Sequence, residues 1–149
     1  MASQVIVAYA SLLQAEGRAL HDHSVGVVVP YRNQISRVQS CLQSLGFHRL
    51  DLITIDTVER FQGSQRDLIV YSFTVSHPSQ LRFLSSASYQ EEQPDGSCLW
   101  VDRKLNVALT RARHQLVLIG SSELLRRNAI LREMLDAVPR ISMKETRER

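Results

Sequence analysis

The sequence predicts an α/β fold on a mainly parallel sheet, and three observations carry that expectation. Four short runs, residues 25–29, 52–55, 67–73 and 115–119, are largely apolar and rich in Val and Ile, without regular polar alternation. Strands of that kind are buried on both faces, the habit of parallel sheets. Around them, apolar residues recur at three- and four-residue spacing, the mark of amphipathic helices. Strands alternating with helices then imply βαβ units and a sheet covered on both sides. The composition agrees: 149 residues, 44% hydrophobic and 22% charged, fit one ordinary globular domain and exclude collagen-like, coiled-coil and wholly disordered chains.

In chain order, the first twenty residues read as a helix, with Val5, Ile6, Tyr9, Leu12 and Leu13 on one face and Gly17 near its end. The first strand stops at Pro30. From Tyr31 the period changes, and Tyr31, Ile35, Val38, Leu42 and Leu45 form a helical stripe that Gly46 terminates. Cys41 lies near that stripe and reads as a small core residue. The second and third strands are joined by residues 56–66, a connection holding one glycine. Residues 76–100, rich in Ser, Gln, Glu and Pro, read as a long loop with apolar anchors at Phe83, Leu84, Leu99 and Trp100. Loops beyond about 12–15 residues are usually functional or disordered. A helix resumes at Val101, with Leu105, Ala108, Leu109 and Ala112 on one arc. After the fourth strand, Gly120-Ser121-Ser122-Glu123 is a turn with a good N-cap. Leu124, Leu125, Ile130, Leu131, Met134 and Leu135 line one or two last helices. Pro139 ends the fold, so the domain is read as 1–139 and the charged stretch 140–149 as a frayed tail.

Several function classes are set aside. The two cysteines, Cys41 and Cys98, are far apart and in no metal-ligand spacing, which favours a reducing intracellular compartment over a disulfide framework. No apolar run approaches the roughly 18 residues of a membrane span, and the opening Met1-Ala2-Ser3-Gln4 is not the basic start of a signal peptide. No membrane partner is expected. No metal is expected either: His21-Asp22-His23 reads as polar surface, and His48, His77 and His114 have no evident partners. A net charge of +3 permits a polyanionic partner without demanding one.

Ligands of open parallel sheets sit at the carboxyl ends of strands, so chemistry is expected after Val29, Ile55, Phe73 and Ile119. Residues 57–67 follow one such end and are dense in hydrogen-bonding side chains around Gly63, where the backbone can approach a phosphate or sugar. The same composition fits a polar surface turn. In residues 102–113, helical geometry puts Lys104, Val107 and Arg111 on one stripe beside the apolar arc and Arg113 on its opposite flank. A guanidinium there suits a phosphate; a solvated basic face fits as well.

Three stretches together resemble superfamily 1 helicases. Val28-Val29-Pro30-Tyr31-Arg32-Asn33-Gln34 is similar to their T-P-Y-x-x-Q segment. Residues 57–67, TVERFQGSQRD, resemble motif V, [S/T]-V-D-x-[F/Y]-Q-G-x-E-x-D, and residues 104–113, KLNVALTRAR, resemble motif VI, R-L-N-V-A-[L/I]-T-R-A-[R/K]. The resemblance is to the group containing the nonsense-mediated-decay RNA helicase and the nuclease-linked DNA replication helicases, and it covers about residues 2–138. It implies a three-layer RecA-like domain of the P-loop NTPase type, the second of a two-domain motor. ATP with Mg2+ would lie between this domain and an N-terminal RecA-like domain of the same protein, with single-stranded DNA or RNA across their top. Arg111 matches the arginine finger that stabilises charge on a transferring phosphoryl group. Gly63 matches the motif V glycine near the nucleotide and Gln65 the ribose-contacting glutamate, while Lys104 and Arg113 are supporting cations for ATP. Pro30, Tyr31, Gln34, Thr57 and Gln62 fall where the family meets the nucleic-acid backbone, contacts that position without reading sequence.

The sequence also departs from the pattern. Gln65 replaces the glutamate and loses charge assistance, Val29 replaces a threonine hydroxyl, the Y-R-x-H-P segment is absent, and residues 76–100 exceed the usual connection. The six glycines are followed by Arg18, Val27, Phe47, Ser64, Ser97 and Ser121, so there is no Gly-Lys pair and no P-loop. No Asp-Glu pair supplies a Walker B strand end. The isolated chain is therefore expected not to hydrolyse ATP, and the whole protein is expected in the cytoplasm or, in a eukaryote, the nucleus. A non-catalytic RecA-like module that grips nucleic acid or protein, and an unrelated α/β enzyme with its own pocket, are the rival readings.

Overall fold

The computed structural model describes residues 1–61, 63–84 and 88–141. In chain order it runs α1 (Ala2–Ala15), β1 (Val25–Val28), α2 (Asn33–Ser44), β2 (Ile53–Asp56), β3 (Arg66–Ser72) and α3 (Leu81–Leu84). There follow β4 (Ser88–Glu92), β5 (Cys98–Asp102), α4 (Arg103–Leu109), β6 (Ala112–Ile119), α5 (Ser122–Leu125) and α6 (Ala129–Asp136). Strands β2-β1-β3-β6, in that order, form one all-parallel sheet, and β4 and β5 form a separate antiparallel hairpin. Every residue of β1 and β3 is buried, as their apolar character requires of strands covered on both faces.

Side-chain alternation along the strands divides the interior into two cores. Val25, Val27 and Val29, with Leu68 and Val70, pack against Ile6 of α1 and Leu42 of α2. Val28, Ile69, Tyr71 and Phe73 belong to the other core, with Phe61, Leu105 and Ala108 of α4, Leu125 and Leu131. The result is three layers, helices on both faces of a parallel sheet. Phe61 and Phe73 are fully buried, and removal of such a ring from water contributes about 1.5–3 kcal/mol.

Because β1 lies between β2 and β3, the connection from β2 to β3 must cross it. It does so without a long helix: a single turn of 3-10 helix, Val58–Phe61, drops Phe61 onto Gly26 of β1. A Cβ at Gly26 would lie 2.7 Å from Phe61 Cε1 and 2.8 Å from Ile69 Cδ1, so the crossing requires a residue with no side chain. Thr54 and Arg66 add a polar tie beside this contact, with Arg66 Nη2 donating to Thr54 Oγ1 at 2.8 Å.

The structure corrects several expectations. Residues 76–100 are not an irregular loop: they hold a 3-10 turn (Pro78–Gln80), α3 and most of the β4–β5 hairpin. Tyr89, Trp100 and Val101 favour strands, and Pro94-Asp95-Gly96 is a turn signal that the polar composition obscures. Asp95 fixes the turn by accepting from the Ser97 backbone N–H at 2.9 Å and from its hydroxyl at 2.6 Å. Of the four apolar anchors expected there, only Leu84 is buried, joined by Leu81; Phe83, Leu99 and Trp100 are exposed. Cys41 is exposed, because Leu42, one residue on, takes the inward position of α2. The helix of motif VI is short. It ends at Leu109, and Ala112 and Arg113 belong to β6, which begins three residues earlier than the apolar run suggests because Ala112 pairs with Arg66.

Candidate functional site

The residues singled out in the sequence fall into two groups at opposite edges of the sheet. One lies at the carboxyl edge, where β1 and β2 end. Pro30 and Tyr31 follow β1 and are partly buried, and Thr57 follows β2 and is buried. Val29, Pro30, Thr57, Tyr71, Leu84 and Lys104 line one shallow cleft there. Gln34, in the first turn of α2, donates its side-chain amide to Thr74 Oγ1. Thr74 follows β3 with φ of 43°, a left-handed conformation that β-branched residues seldom adopt and that tends to cluster at functional sites.

Lys104 stands in this carboxyl-edge group, not beside Arg111. It occupies the first turn of α4, which is started by Asp102: the buried carboxylate accepts from the Leu105 N–H at 3.0 Å. Lys104 Nζ is 3.1 Å from Glu59 Oε1. The Glu59 carboxyl is held below the ordinary carboxylate range, first by its own backbone N–H, then by the Thr57 hydroxyl and by Lys104, against the opposing effect of burial. Helix α4 runs back across the sheet, and about 1.5 Å of rise per residue puts the Arg111 end roughly 10 Å away.

The second group lies at the amino edge of β3 and β6. The Arg66 N–H donates to Arg111 O at 2.9 Å, which joins the end of the β2–β3 crossing to the residue after α4. Gly63 turns with φ of 76°, and Gln65 is exposed beside it. Gln62 lies outside the described residues. Arg66 itself is buried and reaches Ser64 Oγ, Gln65 O at 2.8 Å and Thr54 Oγ1, so it braces the crossing from below. Burial pulls its guanidinium pKa down.

Arg111 is half-buried and oriented by its own helix: Nε donates to Val107 O at 3.0 Å and Nη2 to Thr110 Oγ1 at 3.3 Å. Among the described residues it has no carboxylate within 4.0 Å, whereas Arg113 Nη1 lies 3.9 Å from Asp67 Oδ1. Asp67 is the organiser of this edge. Its buried carboxylate also faces His21 Nε2 at 3.5 Å and His114 Nε2 at 3.7 Å.

Two features escape a reading confined to strand carboxyl ends. The first is the amino-edge group itself, which exists because the crossing segment starts at one edge and finishes at the other. The second is the structural trio of Arg66, Asp67 and Asp102. Asp102 carries a legible signal, a carboxylate three residues before Leu105 at a helix start; Arg66 and Asp67 carry none beyond being charged residues at the start of an apolar strand.

Comparison with known proteins agrees with this architecture. The profile of a family described as an AAA domain matches residues 2–123. The chain is 34% identical over 114 residues to the DNA replication ATP-dependent helicase/nuclease DNA2 of Mus musculus, covering 75% of this chain and 9% of that protein. It is 34% identical over 106 residues to the DNA polymerase alpha-associated DNA helicase A of Saccharomyces cerevisiae, covering 71% of this chain and 13% of the relative. A regulator of nonsense transcripts 1 homolog from Neurospora crassa is 31% identical over 115 residues, 74% of this chain and 9% of that one. The chain thus spans only about a tenth of the length of these relatives. Among solved structures, the C-terminal domain of a possible DNA helicase from a Lactobacillus shares the fold, with a TM-score of 0.50 and 15% identity over 87% of this chain and 75% of that one. The chain belongs to this AAA-domain family, has a RecA-like α/β fold, and is similar in sequence to helicases of superfamily 1.

Proposed function

We propose that the chain is the second half of an ATP-dependent nucleic-acid motor, with its two edges serving two ligands. At the amino edge, Arg111, Gly63, Gln65 and Arg113 meet ATP with Mg2+, the rest of whose site belongs to an N-terminal RecA-like domain of the same protein. At the carboxyl edge, Pro30, Tyr31, Gln34 and Thr57 meet the backbone of single-stranded DNA or RNA. The position of Lys104 supports reading it with the nucleic acid rather than with ATP.

The observation that carries this reading is Arg111. It is a half-buried guanidinium, aimed by Val107 and Thr110, with no carboxylate at salt-bridge distance among the described residues and with the glycine turn next to it through the Arg66–Arg111 backbone bond. Such a group fits a polyphosphate: a preorganised guanidinium stabilises the charge that spreads over a transferring phosphoryl group at no reorganisation cost. This chain's contribution is confined to that stabilisation and to gripping the strand, because it has no Gly-Lys loop for the phosphates. The isolated chain is therefore inactive in this reading.

The test is Arg111→Ala in the full-length protein. Steady-state ATPase kcat should fall by about 10³-fold or more, while melting temperature and single-strand affinity stay close to those of the parent. An unchanged kcat sinks the assignment. Gln65 and Val29, which lack the family's charge and hydroxyl, support one rival reading, a domain that binds nucleic acid or protein without catalysis. Under that reading the parent protein itself shows no nucleic-acid-stimulated ATPase.

A further inference from the structure

We propose that the Glu59 carboxylate stands where a strand phosphate binds and must be displaced before the strand is held. The assignment rests on reading the carboxyl edge as the nucleic-acid track, and it gives that track a built-in competitor.

Among the described residues, the cleft at the ends of β1 and β2 is lined by one cation, Lys104, and one acid, Glu59. The two are paired, with Lys104 Nζ 3.1 Å from Glu59 Oε1. The Thr57 hydroxyl, another donor in the cleft, also serves the Glu59 carboxylate, as does the Glu59 backbone N–H. An ammonium, a hydroxyl and a backbone N–H are the kinds of donor that proteins turn toward a nucleic-acid phosphate. A carboxylate and a phosphodiester each present acceptor oxygens and one negative charge, so the same donors fit either. The neighbouring charges of the connection, Asp56 and Arg60, pair with each other at 3.3 Å and leave Glu59 as the acid at the cleft.

Exposure makes the exchange feasible. The Lys104 side chain is 43% exposed and that of Glu59 57% exposed, so a ligand can reach the pair, and breaking it costs the fold little. Glu59 belongs to the 3-10 turn Val58–Phe61, whose buried members are Val58 and Phe61, and its side chain can swing out while those two stay in place. The carboxyl is held below its ordinary range, so it remains ionised and competes at neutral pH. With the pair closed, the cleft lining offers a polyanion no net positive charge. With Glu59 turned out, Lys104 and Thr57 are both released to a phosphate. Binding here is therefore an exchange of one anion for another, and the strand is held more loosely than the donors alone allow.

The test compares Glu59→Gln, Lys104→Ala and the double variant in the full-length protein, with labelled oligothymidylate and oligouridylate followed by anisotropy at fixed salt. Removing the competitor should tighten strand binding by about two- to fivefold, the scale of one exposed ion pair. Lys104→Ala should weaken binding, and in that background the gain from Glu59→Gln should shrink, because the contested donor is gone. Glu59→Ala, which also removes the amide oxygen that Gln still presents to Lys104, should tighten binding as well. Melting curves check that each variant folds, and loss of a purely structural prop weakens binding rather than tightening it. Unchanged or weaker binding by both Glu59 variants overturns the proposal. So does an equal gain with and without Lys104, which makes Glu59 only a distant charge acting on the strand. If Lys104→Ala binds like the parent, the track reading fails and the competitor falls with it.

Discussion

Replacing Gly26 by Ala tests whether the crossing of β1 is as tight as its geometry says. The added Cβ would sit 2.7 Å from Phe61 Cε1 and 2.8 Å from Ile69 Cδ1, at least 0.6 Å inside the 3.4 Å at which ordinary contact begins, with Arg66 Cγ at 3.0 Å. None of these neighbours can yield freely: Phe61 and Ile69 are fully buried, and Arg66 is tied to Thr54 and Gln65. Forcing one methyl group into a packed core costs about 1–3 kcal/mol. For a domain of this size each kcal/mol lowers the melting temperature by about 2–4 °C. Urea denaturation and thermal melting should therefore show Gly26→Ala destabilised by that amount, with an unchanged denaturant slope. Phe61→Leu, which removes the atom in closest conflict, should cost stability alone yet recover part of the loss in combination, giving a favourable coupling in the double-mutant cycle. A Gly26→Ala protein within about 0.5 kcal/mol of the parent, or strict additivity with Phe61→Leu, refutes the close-approach argument.

Three further outcomes are expected. Asp102→Ala should destabilise the chain by about 0.5–2 kcal/mol in denaturant titration, since α4 loses its capping acceptor, and Asp102→Asn should recover most of it. The Glu59 carboxyl titrates below its ordinary value of 4.5, so its contribution to stability is fully present above that pH and is lost as the pH falls through the lower folded value. A pH series of urea midpoints should accordingly show the parent and Glu59→Gln converging toward the acid end. Lys104→Ala in the full-length protein should weaken single-strand binding to a similar extent for all sequences and reduce the salt slope by about 1; an unchanged slope removes Lys104 from the track.

Much of the fold is legible because burial on both faces leaves a plain record. Residues 25–29 and 68–71 are unbroken apolar runs, and each falls on a fully buried strand. In α2, Ile35, Val38 and Leu42 of the expected stripe face the core and the chain turns at Gly46, while Tyr31 precedes the helix and Leu45 is exposed. The hairpin is harder to read because its strands cover little: with β4 and Cys98–Trp100 exposed, alternation disappears and Gln90, Glu91 and Glu92 look like loop residues. The boundary of α4 is hard for a different reason. Ala112 continues the helical arc of Leu105 and Ala108, and only its pairing with Arg66, forty-six positions earlier, draws it into the sheet. The division of the candidate site between two edges depends on the strand order β2-β1-β3, which no local pattern carries.

Two connectors span the sheet from edge to edge: the segment from Thr57 to Arg66, seated on Gly26, and α4, fixed by Asp102 at one end and by the Arg66–Arg111 bond at the other. They also touch each other, since Lys104 meets Glu59 and Leu105 shares a core with Phe61. Together they make a braced frame, tied where the two connectors meet and at the Arg66–Arg111 bond. The Arg111 corner and the Thr57 corner are therefore joined by an unbroken path of contacts, through which a load at one can reach the other.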